Sequence, residues 1–160
     1  MKRTLLLICF ISVIISSKAA MKIEVDNLYY TVNDNENSVT VVSPEGSKKY
    51  SGYIVIPKTI EYNGNTLNVT KIGENAFYNC ADLTNIEIPN SVTAIGMYAF
   101  SDCTNLTSIK IPNSVTSIDG RTFQGCSTLT NIDVDNNNPN YASHEGILYT
   151  KNIRKLVFCP

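Results

Sequence analysis

The chain has 160 residues, a formal net charge of −1, 43% apolar residues and 17% charged residues. Its polarity comes mainly from amides and hydroxyls, 19 Asn, 15 Thr and 14 Ser, beside one His and no Trp. This balance offers no basic field for nucleic acid and few groups for acid–base catalysis, and it argues against a multi-pass membrane protein or a disordered acidic tail.

The first element in chain order is an export signal over residues 1–19. Lys2 and Arg3 open it, Leu5 to Ile15 is apolar except for Ser12, and Ser16, Ser17, Lys18, Ala19 and Ala20 close it. A positive start, a short apolar run and small residues at the end form a secretory signal peptide, with the cut expected after Ala19. The run is half the length of a spanning helix, about 20 residues, so no membrane span is expected after cleavage. Cys9 lies inside the run behind bulky Ile8, unlike a lipoprotein cleavage site. Loss of Lys2, Arg3 and Lys18 takes the net charge from −1 to −4.

Residues 20–52 are expected to form an N-terminal β cap. Ile23 to Thr31 and Ser38 to Ser43 alternate as strands around the polar turn Asn33 to Asn37. Such a cap would cover the first coil of a repeat, which otherwise exposes core and edge strands. Within the next segment, Tyr62-Asn63-Gly64-Asn65 places Asn-Gly between extended residues, the strongest short hairpin signal.

The middle of the chain repeats without a gap. Val69–Ser91, Val92–Ser114 and Val115–Asn137 align at a spacing of 23 residues. Six apolar columns return in each: Val69/Val92/Val115, Ile72/Ile95/Ile118, Phe77/Phe100/Phe123, Cys80/Cys103/Cys126, Leu83/Leu106/Leu129 and Ile86/Ile109/Ile132. A fixed period of this kind denotes a solenoid, in which each coil buries its face on the next. Inside a coil, Leu83-x-x-Ile86-x-Ile88 ends in period 2, a short strand that Pro89 and Pro112 terminate. Val92-x-x-Ile95 begins a second extended stretch, Gly73 and Gly96 turn the chain, and Ala76-Phe77 and Ala99-Phe100 are expected in a helical or 3-10 turn. The solenoid is assigned to 53–137. Residues 138–160 read as a terminal partial repeat, with a hairpin of Ile147–Thr150 and Lys155–Phe158 around Lys151-Asn152. The sequence stops at Cys159-Pro160 without a polar cap, so it is either truncated or closed by this hairpin.

The pattern C-x-x-L-x-x-I-x-I-P-x-S-V-x-x-I-x-x-x-A-F resembles the BspA-like, Treponema-type branch of the leucine-rich repeat proteins, marked by its Pro, its Ala-Phe pair and its 23-residue length. Tyr53-Ile54-Val55-Ile56-Pro57 is similar to an incomplete first coil, and Asn138 to Tyr149 to a terminal repeat. The third coil departs from the pattern at Asp119-Gly120 and at Asp135, which stands where the Pro is expected. The resemblance implies a mainly β repeat solenoid, surface display, and adhesion to host or microbial proteins such as extracellular-matrix glycoproteins.

No catalytic, cofactor or metal site is expected. Stacked coils rise about 4.8 Å, which holds equivalent Cβ atoms farther apart than the ~3.5–4.5 Å of a disulfide, and a straight column does not converge on zinc. Cys80, Cys103 and Cys126 therefore read as a buried, reduced ladder. Ser143-His144-Glu145 are consecutive, unlike a triad assembled from separate places, and read as a polar turn before Gly146. Asn68-Val-Thr70 and Asn105-Leu-Thr107 match glycosylation sequons, which carry little meaning if the source is bacterial, as the resemblance implies.

The candidate partner-binding face is the set of outward strand columns: Thr84/Thr107/Thr130, Asn85/Ser108/Asn131 and Glu87/Lys110/Asp133. Repeat proteins bind through such surfaces because every coil contributes the same positions. With small polar residues, mixed charge and no aromatic anchor, the face fits a broad contact with a protein or glycoprotein. Lys110 is expected to pair with the carboxylates on either side. The alternatives are a solvated face on a passive envelope protein, or a remnant of a longer repeat adhesin.

Overall fold

The computed structural model describes residues 22–33, 37–152 and 155–159. The expected signal peptide and the centre of the Asn33–Asn37 turn lie outside these residues. Fourteen short strands are present and, among the described residues, no α-helix.

The strands are β1 (Lys22–Val25), β2 (Leu28–Val32), β3 (Ser38–Val42), β4 (Gly52–Val55), β5 (Thr59–Tyr62), β6 (Asn65–Ile72), β7 (Leu83–Glu87), β8 (Ala94–Ile95), β9 (Ser108–Ile111), β10 (Ser117–Ile118), β11 (Asn131–Val134), β12 (Tyr141–His144), β13 (Ile147–Thr150) and β14 (Leu156–Phe158). One sheet runs β1-β2-β3-β6-β8-β10, with β5 also paired to β6. Its first three strands are an antiparallel meander, and β3, β6, β8 and β10 continue as a parallel stack. A second side carries the parallel pairs β4–β7 and β9–β11. The 23-residue period is visible in register, since Ile118 lies opposite Ile95 and Ile132 opposite Ile109.

Expected strand Ile23–Thr31 is instead a hairpin. Asp26 and Asn27 hold φ of 50° and 63°, so the chain reverses between Val25 and Leu28. Short polar side chains tolerate this left-handed pair, which matches the twist of the flanking strands. Asn63-Gly64 does the same between β5 and β6, as its sequence indicates.

The six apolar columns form the core, and each of their members is buried. The phenyl rings of Phe77, Phe100 and Phe123 stack with centroids 5.2 and 5.8 Å apart. Tyr50 covers one end of this pile at 4.7 Å and Phe158 the other at 5.5 Å. The Tyr50 hydroxyl accepts from the Tyr29 N–H and donates to the Val42 carbonyl, so its polar tip is satisfied inside the cap.

Of the helical or 3-10 turn expected on the third side of each coil, the structure has turns with three-residue-back bonds and, among the described residues, no continuous helix. The N–H groups of this side alternate between two kinds of partner. Ala76, Tyr78 and Cys80 donate three residues back, to Gly73, Asn75 and Phe77, whereas Asn75, Phe77 and Asn79 donate to Met97, Ala99 and Ser101 of the next coil. A continuous helix would take every N–H into its own ladder, leaving none for the next coil. The alternation requires left-handed residues, supplied by Asn75, Asn79, Tyr98, Asp102 and Gly125. Gly73 and Gly96 open these turns, their carbonyls accepting from the Ala76 and Ala99 N–H groups, and they also permit close approach between coils. A Cβ on Gly96 would lie 2.8 Å from the Glu74 nitrogen, and one on Gly73 2.9 Å from the Val41 oxygen.

The cysteine column is buried and unbridged. The Cys103 thiol donates to the Phe77 carbonyl at 3.1 Å and the Cys126 thiol to the Phe100 carbonyl at 2.9 Å, each tying one coil to the last.

After the third coil, Asn138 stands where the preceding coils have Val92 and Val115. It is completely buried, its amide donates to the Pro112 and Val115 carbonyls, and its Oδ1 accepts from the Asn140 and Tyr141 N–H groups. The β12–β13 hairpin, turned at Glu145-Gly146, then lies against the last coil. It accepts from the Ile118 N–H through the Tyr141 hydroxyl, from the Ile132 N–H through the Gly146 carbonyl and from the Val134 N–H through the Ser143 hydroxyl. These bonds occupy backbone donors that a further coil would otherwise meet.

Candidate functional site

The second strand side carries a cleft of about 540 Å³. It lies over β7, β9 and β11 because Ile86, Ile109 and Ile132 point into the core, which turns the alternate side chains outward. Of the nine expected face residues, Asn85, Ser108 and Asn131 line it together with Glu87, Lys110 and Asp133. Thr84, Thr107 and Thr130 are exposed but lie outside the cleft. Asn90, Pro112 and Asp135 also line it. Asp135 takes the place of the Pro, so the departure from the repeat pattern adds a carboxylate to the rim.

The face is split in a way the repeat does not announce. β4 pairs with β7 and β9 with β11, but no backbone hydrogen bond joins β7 to β9 among the described residues. The Ile86 N–H instead bonds to Oδ1 of Asn85 at 2.8 Å. Between the second and third coils, Thr128 donates to the Thr104 carbonyl at 2.7 Å, and the Thr130 N–H reaches the Thr107 carbonyl at 3.0 Å. No counterpart joins the first and second coils at these positions among the described residues. The cleft therefore overlies a junction between two coils, β7 to β9, where parallel pairing is interrupted among the described residues.

The charge column also differs from expectation. Lys110 forms no ion pair with Glu87 or Asp133 among the described residues, and the Glu87 carboxylate instead accepts from the Tyr53 hydroxyl. That bond holds the Tyr53 phenol above its usual range. Lys110 is thus an exposed cation between two carboxylate-bearing strands, available to a partner.

His144 ends β12 on the surface, beside Glu145 at 4.0 Å, both largely exposed. No group of three metal-ligating side chains occurs among the described residues. Burial pushes the Cys80 thiol up, and the neighbouring Cys126 sulfur, with burial, does the same to Cys103. Cys80 and Cys103 are protonated packing groups, while the same contact draws Cys126 down. Among the described residues, no helix is long and apolar enough to cross a membrane.

Comparison with known proteins gives one family. The BspA type leucine rich repeat region matches residues 53–160, with six copies of the repeat. Among solved structures, the chain is similar to a leucine-rich repeat protein from Bacteroides ovatus, at 34% identity and a TM-score of 0.63 over 69% of this chain and 28% of that one. It is also similar to the T. pallidum leucine rich repeat protein, at 26% identity and a TM-score of 0.57 over 70% and 49% of the two chains. A leucine-rich repeat protein from Bacteroides capillosus shares the fold at 24% identity and a TM-score of 0.54, over 71% of this chain and 98% of that one. The chain thus spans about a quarter and a half of the first two relatives. A search of curated proteins finds no match.

Proposed function

Because the chain belongs to the BspA type leucine-rich repeat family, we propose that it is an exported binding module that holds a host or microbial surface protein or glycoprotein on its second strand side. The observation that carries this reading is the cleft over β7, β9 and β11, where six of the expected face residues converge with Lys110 unpaired at the centre. Small amides and hydroxyls with charges of both signs suit a polar protein surface, and the cleft is too open and too poor in aromatic anchors to grip a single small molecule tightly. Affinity per site is then modest, and adhesion gains from many copies on one surface. Export rests on the tripartite start of the sequence, and the extracellular matrix is the expected setting of the partner.

The test is a triple substitution, Lys110→Glu with Asn85→Arg and Asn131→Arg, assayed against immobilised matrix glycoproteins. Lys110 and Asn131 are exposed polar positions that change stability by only about 0.5 kcal/mol each, and loss of the Asn85 bond to the Ile86 N–H adds about 1 kcal/mol, so the variant is expected to fold. Adhesion is expected to be lost. Adhesion retained by the folded triple variant would remove this face from the binding site.

A further inference from the structure

The turn side of the coils carries a second cleft, of about 260 Å³, lined by Asn75, Tyr78, Tyr98, Ser101, Asp102 and Gln124. Neither its position nor its chemistry belongs to the strand side. We infer that this cleft is a subsite for a neutral sugar residue of a glycan.

Two tyrosines bound it, and both are held in place. Lys49 sits 5.6 Å from the centre of the Tyr78 ring and donates to the Tyr78 carbonyl at 2.9 Å. Arg121 sits 5.9 Å from the centre of the Tyr98 ring and donates to its hydroxyl at 2.9 Å. Tyr78 nevertheless stays 43% exposed, so part of its ring surface is open to a ligand. Tyr98 holds a φ of 53°, a left-handed conformation that a bulky side chain rarely adopts, at a position where the first coil has Asn75. An asparagine there meets the backbone requirement at lower strain, so the ring is not what the fold needs.

Polar groups lie between the rings. The Asp102 carboxylate accepts from the Ser101 hydroxyl at 3.3 Å. It occupies space that exists because residue 125 is a glycine, since a Cβ there would collide with Asp102 Oδ1. Asn75 and Gln124 add amides that both donate and accept. Flat C–H faces of a pyranose ring suit aromatic surfaces, and its hydroxyls suit a carboxylate flanked by amides. Rings already fixed by cations lose little freedom on binding, which favours a weak ligand of this kind.

Charge selects the class. A cationic side chain would meet Lys49 and Arg121, which already occupy the aromatic quadrupoles. An anionic sugar would meet Asp102. A neutral, polyhydroxylated ring avoids both conflicts.

The experiment uses the full chain on an array of defined neutral oligosaccharides built from glucose, galactose, mannose and N-acetylglucosamine, with sialylated and sulfated glycans alongside. At least one neutral glycan is expected to bind, and saturation-transfer NMR of that glycan should show contact with tyrosine protons. Tyr98→Asn and Tyr78→Ser install the residues found at the equivalent positions of neighbouring coils, so they preserve the fold. Each should weaken binding by about tenfold, as should Asp102→Asn. The strand-side triple variant should bind the glycan unchanged, which separates this inference from the protein-binding reading. No neutral glycan bound by the wild-type chain would overturn the inference. So would equal affinity in folded Tyr98→Asn and Tyr78→Ser, or binding confined to acidic glycans.

Discussion

Replacing Phe100 by alanine removes the middle of the ring column. Phe100 has no exposed surface, and its neighbours Phe77 and Phe123 lie 5.2 and 5.8 Å away with planes tilted by only 12° and 7°. Both neighbours are anchored by their own coils. The Phe77 N–H bonds to Ala99 and the Phe77 carbonyl accepts the Cys103 thiol, so the walls of the new cavity cannot close. A buried Phe→Ala change costs about 3–5 kcal/mol, and the upper half applies where collapse is blocked. Two stacked pairs, each worth roughly 0.5–1.5 kcal/mol beyond area burial, are included in that loss. For a domain of this size each kcal/mol lowers the melting temperature by about 2–4 °C, so a fall on the order of 10 °C is expected by circular dichroism. Phe158→Ala is the control, because Phe158 is half-buried, tilted by 56° and has a single ring neighbour. It should cost about 1–2 kcal/mol. A Phe100→Ala melting temperature within two degrees of the parent, by the same size scaling, would refute the column as the core.

Further expectations concern the ends and the coil spacing. Asn138→Val should cost about 2–4 kcal/mol in urea unfolding, because it orphans two buried carbonyls and two N–H groups, and a neutral result would show that water replaces the amide. Gly96→Ala forces a methyl against the Glu74 backbone and should destabilise, whereas His144→Ala, in an exposed position, should change stability by less than about 0.5 kcal/mol. The raised thiol of Cys80 gives a pH signature, because burial holds it up while the contact between Cys103 and Cys126 raises one thiol and lowers the other. The unfolded chain releases the Cys80 proton near the free-thiol value of about 8.5, the folded chain only higher, so this contribution is full below that pH and falls as pH rises above it. Cys80→Ala should flatten that alkaline fall, and an unchanged slope would assign it to other groups. N-terminal sequencing of the exported protein should begin at Ala20, and a retained Met1 would remove the export signal.

The columns were legible because a repeat writes each core position three times, and the Asn63-Gly64 hairpin because left-handed Asn-Gly has few other uses. The Asp26-Asn27 hairpin was not, since neither residue is glycine and the flanking strands run on in the same alternation. The turn side read as a helical or 3-10 turn because Ala-Phe spacing suits both. What decides between them is the demand of the next coil for every second N–H, which depends on stacking and not on local propensity. The turns at Gly73 and Gly96 were legible, but the close approach those glycines also permit was not, as it is a property of two coils together. Tyr50 and Phe158 lie outside the period, so nothing in the repeat marks them as the ends of the ring column. On the strand side, the six lining residues followed from alternation alone. The missing pairing between β7 and β9 did not, because it depends on Thr128 linking the second coil to the third without a matching link from the first.

The measurement closest to the central claim is hydrogen exchange by mass spectrometry on the exported chain, with and without a matrix glycoprotein that it holds. Slowed exchange is expected across Leu83–Glu87, Ser108–Ile111 and Asn131–Val134, strongest at the β7–β9 junction, where the free chain lacks ladder bonds. Protection confined to the N-terminal meander, the turn side or the β12–β14 sheet, with these three strands unchanged, would contradict the strand side as the binding surface.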